Sequence, residues 1–169
     1  MIFESGATIS LPRCRPTFPA WAGNPPDFDF GKKPLIDLNG HPVFAELYIL
    51  DLLQTVGWDG VWVETYGGTH YLRTMPKAWS LGSEHIAIPA DKEALLKKIW
   101  TTAKTTACFD VLAWRGDQLL FCEVKRTGKD KLTDAQVRFI KGALACGIPP
   151  ASLLIVEWSF APENTRGAR

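Results

Sequence analysis

The stretch Phe109-Asp110-Val111-Leu112-Ala113-Trp114-Arg115-Gly116-Asp117-Gln118-Leu119-Leu120-Phe121-Cys122-Glu123-Val124-Lys125 decides the fold. Two apolar runs, 108–114 and 119–125, flank the polar tetrad Arg115-Gly116-Asp117-Gln118, the pattern of a hairpin. If the loop is even-numbered, so that Arg115 faces Gln118, Asp110 falls opposite Glu123 on one sheet face. Lys125 projects on that same face, whereas Phe109, Val111, Leu120, Cys122 and Val124 are expected on the other. An odd-numbered loop would shift the register and separate the acids. Like charges facing each other across a strand pair are destabilising, so packing alone does not account for the arrangement.

Downstream, Thr133-Asp134-Ala135-Gln136 has the T-x-x-Q form of a capping box and opens a helix through Val137, Ile140 and Leu144 to Gly147. An apolar strand over 152–158 closes the ordered sequence. Upstream, Asp91 caps a helix through Leu95, Leu96 and Ile99, and 60–65 reads as a strand followed by a Gly-Gly turn and a second extended piece. The first helix is expected to start at His41-Pro42 and to run about 15 residues to Gly57, with proline in its first turn. The resulting order is α, β, (β, α), β, β, α, β. Strands apolar at nearly every position imply a sheet covered on both faces, an α/β layered domain.

A chain of 169 residues suits one domain, and its net charge of +1 excludes a histone-like basic protein or a polyanionic one. Any nucleic-acid contact must therefore be local. No apolar stretch approaches the roughly 18 residues of a membrane span, and Met1 to Pro12 lacks a basic then apolar leader, so a soluble, cytoplasmic protein without membrane contact is expected. Cys14, Cys108, Cys122 and Cys146 show no C-x-x-C spacing and read as buried thiols. Six of the 12 prolines fall within residues 1–34, which read as an extended arm anchored by Trp21, Phe28 and Phe30. Residues 35–160 form the domain and 161–169 a flexible tail.

On a wheel of about 100° per residue, Glu46 sits between Leu53, Leu50, Val43 and Ile49 on the apolar face of the first helix, while Tyr48, Asp51 and Thr55 lie on the polar side. A carboxylate aimed at a core costs several kcal/mol unless it is paired, protonated or metal-bound. Carboxylates gathered within a few ångströms form a hard oxygen site for Mg²⁺ or Mn²⁺, and a nearby ammonium can orient a water or offset charge building on a phosphate.

The arrangement of Asp110 followed by Glu123-Val124-Lys125 after a hairpin resembles the PD-(D/E)XK nuclease superfamily. The tract from Cys108 to Trp158 is similar to its VRR-NUC branch, with Phe109 standing where the family has proline. The resemblance implies a restriction-endonuclease-like α-β-β-β-α-β core, α/β with a central mixed sheet flanked by helices, and a metal-dependent phosphodiesterase, an endonuclease acting on DNA. It further implies Asp110 and Glu123 as ligands of Mg²⁺ or Mn²⁺, Glu46 as a third acid near the metal, Lys125 as the catalytic lysine and Gln136 as the polar residue behind the site. Gln136 is equally accounted for by its cap. The resemblance does not cover the segment from about 67 to 105.

From Glu123 to Lys141 six cations stand against three acids, and among them Arg126, Lys129 and Lys131 are candidates for contact with the DNA backbone, or else a solvated face. The seven tryptophans are better explained by core packing than by base stacking. His41, His70 and His85 form no ligand pattern. Cutting two strands in concert needs two sites, so a homodimer is expected, with the arm as candidate interface. Two alternatives stand beside the nuclease: a catalytically silent nucleic-acid-binding module of the same fold, and a structural protein in which Glu46 and Lys125 form a buried ion pair.

Overall fold

A computed structural model describes residues 8–24, 26, 33–65, 68–75 and 85–162. In chain order the elements are β1 (Arg13–Cys14), β2 (Thr17–Phe18), β3 (Ile36–Leu38), β4 (His41–Val43), α1 (Ala45–Thr55), β5 (Asp59–Glu64), β6 (His70–Leu72), α2 (Ala90–Ala103), β7 (Val111–Arg115), β8 (Gln118–Arg126), α3 (Asp134–Ala145) and β9 (Leu153–Phe160). The main sheet runs β1-β9-β8-β7-β5-β6, with β2 also paired to β9.

The β7–β8 hairpin sets the register. Arg115 pairs with Gln118 and Val111 with Cys122 across the two-residue loop Gly116-Asp117, where Gly116 takes φ 58°. Strand β7 is antiparallel to both of its neighbours, β5 and β8, and β9 joins β8 in parallel. A parallel neighbour cannot be reached by a tight turn, so α3 carries the chain across. The sheet is therefore mixed.

Alternation along the strands divides the core in two. Val111, Cys122, Val124 and Val156 face α1 with Phe44, Leu50 and Trp62. Leu112, Phe121, Leu153 and Ile155 face α2 and α3 with Leu96, Ile99, Phe139 and Ile140. Fully burying one such side chain contributes about 1.5–3 kcal/mol. At Gly142, an added Cβ would lie 2.5 Å from the Ala103 Cβ and 3.0 Å from the Ile99 carbonyl, so helices α2 and α3 approach too closely there for any larger residue.

Several expectations need correction. His41-Pro42 opens no helix; these residues belong to β4, which returns on β3 through Asn39-Gly40 with φ 53° and 85°. Positive φ at both turn positions is what a tight Asn-Gly hairpin requires. Helix α1 accordingly starts at Ala45 and is 11 residues long. Phe109 packs against Phe139 on the α3 side, opposite to its expected face, because the chain bends at Asp110 and the strand begins one residue later. Tyr48 is not on an open polar side: Phe18 covers it, ring centroids 4.4 Å apart.

That cover comes from the proline-rich segment. Strands β1 and β2 lie along β9 at the sheet edge, with the carbonyls of Pro12 and Pro16 accepting the N–H groups of Ile155 and Ser159 at 3.0 and 3.2 Å. An edge strand uses the proline carbonyl and leaves its missing N–H without consequence. Cys14 on β1 is exposed, unlike the buried thiols expected, whereas Cys108 and Cys122 are buried. Trp21 lies beside this segment, its indole N–H donating to the Asn24 carbonyl at 2.9 Å. Phe28, Phe30 and residues 163–169 lie outside the described residues. Among the described residues no helix is long and apolar enough to cross a membrane.

Candidate active site

Asp110 stands where the β7–β8 ladder ends. Its main-chain carbonyl accepts the Val63 N–H at 2.8 Å, tying it to β5, and its Oδ2 accepts the Val124 N–H at 2.8 Å, tying it to β8. The carboxylate is thus fixed by the backbone of both neighbouring strands. Glu123, its counterpart on β8, is the one charged side chain of the described residues that is fully buried. Glu123 Oε1 accepts Lys125 Nζ at 2.7 Å and also the side-chain amide of Gln136. Glu123 Oε2 is buried and has no partner.

The electrostatics follow from that burial. Desolvation first, then the Asp110 charge, push the Glu123 carboxyl up to about 9 despite Lys125. Asp110 is raised to about 7, again by burial and then by Glu46, against the Val124 N–H, Lys33 and Lys125. Two acids this close resist being ionised together, so a proton or another cation is needed between them near neutrality.

Gln136 caps its helix and reaches Glu123 with the same side chain. Its Oε1 accepts the Thr133 N–H at 2.9 Å and its own N–H donates to Thr133 Oγ1 at 3.2 Å, completing the capping box, while its Nε2 reaches Glu123. Glu46 is paired, but not with Lys125: Lys33 Nζ lies 2.6 Å from Glu46 Oε1. The structural alternative built on a Glu46–Lys125 pair is therefore wrong in its partners. Lys33 rests over the rings of Phe44 and Trp62, 5.4 and 5.0 Å from their centroids. Burial works against its ammonium, yet Glu46, Asp110 and Glu64 outweigh that and raise its pKa.

Lys33 was missed from sequence. It precedes the first helix by a hairpin, and no periodicity links it to Glu46. The three loop cations divide between two clefts. Lys129 and Arg126 line one of about 400 Å³ together with Lys33, Pro34, Ala45, Glu46, Val124, Asp130 and Trp158. Lys131 lines another of about 280 Å³ with Arg13, Lys125, Asp130, Leu132, Ile155 and Glu157. Asp130 stands between them and folds the loop back by accepting the Arg126 N–H at 2.8 Å. His70 and His85, unrelated by sequence spacing, meet with ring centroids 5.6 Å apart, and His85 Nδ1 accepts the Tyr71 N–H at 3.2 Å. Trp62, Trp114 and Trp158 are core residues, and Trp100 is tied to the Ala107 carbonyl at 3.0 Å; Trp79 lies outside the described residues.

Among the described residues no group of three or more His, Cys, Asp or Glu is drawn together as a ready ligand set. Asp110 and Glu123 nonetheless suit Mg²⁺ or Mn²⁺: such ions take one or two carboxylates and fill their remaining positions with water and phosphate oxygens. The unpartnered Glu123 Oε2 is an oxygen such an ion would satisfy.

Searches of family models, curated proteins and solved structures with this chain find no match.

Proposed function

We propose that the chain is a divalent-metal-dependent nuclease that hydrolyses phosphodiester bonds of DNA. On this reading α1, β5, β7, β8, α3 and β9 are the α-β-β-β-α-β core of a PD-(D/E)XK nuclease of VRR-NUC-like form, and β6 and α2 are an insertion after its first strand. The observation that carries the reading is Glu123: fully buried, next to Asp110, with one oxygen unpartnered. Such a carboxyl pair must hold a proton or a cation, and a divalent cation is the occupant that gives both acids a use.

Asp110 and Glu123 would hold Mg²⁺ or Mn²⁺. When bound, the ion supplies a water of lowered pKa and positive charge for a phosphate oxygen. The chain's own residues do the rest. Val124 N–H and Gln136 keep the two carboxylates in place. Lys125, 2.7 Å from Glu123 Oε1, presents an ammonium that orients the attacking water and offsets charge on the phosphate. Arg126, Lys129 and Lys131 extend the positive surface beyond the site for contacts to neighbouring phosphates. Two chains related by a twofold axis would bring two such sites to one duplex.

The test is incubation of the purified chain with single-stranded, duplex, flap and junction DNA in Mg²⁺ or Mn²⁺, and in EDTA. Cleavage of at least one substrate, abolished by EDTA, supports the reading. DNA retained by the protein but left intact in both metals supports the silent binding module instead.

A further inference from the structure

We infer that Lys33 occupies the place of a second divalent cation, so that the centre takes one metal ion and not two. The inference deepens the nuclease reading and rests on it. Glu46 is the acid on α1 whose charge acts on Asp110, and its Oε1 is engaged by Lys33 Nζ at 2.6 Å. Both side chains are largely removed from solvent, Glu46 with 13% exposure and Lys33 with 35%. The ammonium is further held against Phe44 and Trp62, which favour a cation over their faces.

Charge points the same way. Lys33 answers to three carboxylates, those of Glu46, Asp110 and Glu64, and Lys125 answers to Glu123. The unpartnered Oε2 of Glu123 puts the metal ion's place on the Asp110–Glu123 side. A second divalent ion on the Glu46 side would have to displace Lys33 from its carboxylate and from its rings. Lys33 thus supplies on a tether the charge that a second ion supplies elsewhere, and it fixes Glu46 in doing so.

Counting bound Mn²⁺ on the full chain by EPR at pH 7.5, where free and bound ions give distinct signals, tests this. The wild type is expected to bind one Mn²⁺ with the spectrum of an isolated ion. Lys33→Met is expected to bind two, with the broadened spectrum of a coupled pair about 4 Å apart. Two ions in the wild type, or one in a folded Lys33→Met protein, would overturn the inference and leave the nuclease reading standing. No ion in the wild type would remove that reading and the inference with it. Should Lys33→Met fail to fold, Glu46→Gln decides the point. With Glu46 committed to Lys33, the variant keeps one Mn²⁺ within about threefold of wild-type affinity, whereas a loss of about tenfold or more makes Glu46 a ligand and overturns the inference.

Discussion

Gln136 binds Glu123 with the amide nitrogen of the same side chain whose oxygen caps helix α3, so the position of the buried carboxylate and the start of the helix are set by one residue. Gln136→Ala should lose both contacts. The cap alone is worth about 0.5–2 kcal/mol, and the midpoint of urea unfolding should fall accordingly. Gln136→Glu separates the two roles. It keeps an acceptor for the Thr133 N–H but puts a third acid in place of the donor to Glu123, so it should keep the cap, lose stability increasingly as pH rises in EDTA, and lose cleavage. Equal losses in both variants would reject a part for the nitrogen.

Stability in the absence of metal should fall as pH rises. In the unfolded chain Asp110 and Glu123 titrate at about 4, and in the fold they are raised to about 7 and about 9 by burial and by their neighbouring acids. Between about pH 4 and pH 9 the native state therefore holds more protons than the unfolded one, and its stability declines over that window. Tm measured from pH 5 to pH 8.5 in EDTA should decrease, and Glu123→Gln should flatten the curve. Added Mn²⁺ should raise Tm more at the upper end, since binding must displace those protons. A Tm that rises with pH in the wild type would count against the buried acid pair.

Lys125→Ala should lower cleavage by about 100-fold or more, with a smaller change in Mn²⁺ affinity, because the ammonium acts on water and phosphate and is no ligand. Burst or single-turnover kinetics alongside metal titration make the comparison. A loss of metal binding equal to the loss of rate would assign Lys125 to holding Glu123 alone.

Much of this centre was legible in the sequence. A two-residue loop at Gly116-Asp117 fixes the hairpin, and its register runs to Val111 opposite Cys122, one step short of Asp110 and Glu123. The T-x-x-Q box was equally visible, though spacing alone does not tell that its glutamine also reaches a strand. What stayed hidden depends on contacts without a period. Lys33 reaches Glu46 across the β3–β4 hairpin, and that hairpin was itself obscured because Pro42 imitates the first turn of a helix. Its Asn39-Gly40 turn was the signal that could have revealed it. Phe18 was not among the anchors expected of the extended arm, yet β2 lays it on Tyr48 and Trp158.

Phe18 is accordingly expected to behave as a core residue. Only 3% of it is exposed. Phe18→Ala should cost about 3–5 kcal/mol in chemical denaturation, the range for an aromatic removed from a packed interior. A change below about 1 kcal/mol would mean that the edge strands do not hold the domain together.

The loop cations should separate by salt dependence. Lys129→Ala and Lys131→Ala should each reduce the slope of log affinity against log salt by about one, similarly for all DNA sequences. Arg126→Ala should also lower stability, since its guanidinium lies 5.0 Å from the Phe160 ring centroid and 5.8 Å from that of Trp158. Unchanged slopes in all three would place the DNA elsewhere.

The central claim is that Asp110 and Glu123 form a metal-dependent hydrolytic centre, and Glu123→Gln tests it most directly. The substitution keeps the shape of a fully buried side chain and removes its charge. Wild type and variant, purified identically, are assayed on the same DNA substrates in Mn²⁺, with folding checked by circular dichroism. The account predicts cleavage by the wild type and none by a variant that is folded and at least as stable in EDTA at pH 8. Undiminished cleavage by Glu123→Gln would contradict it.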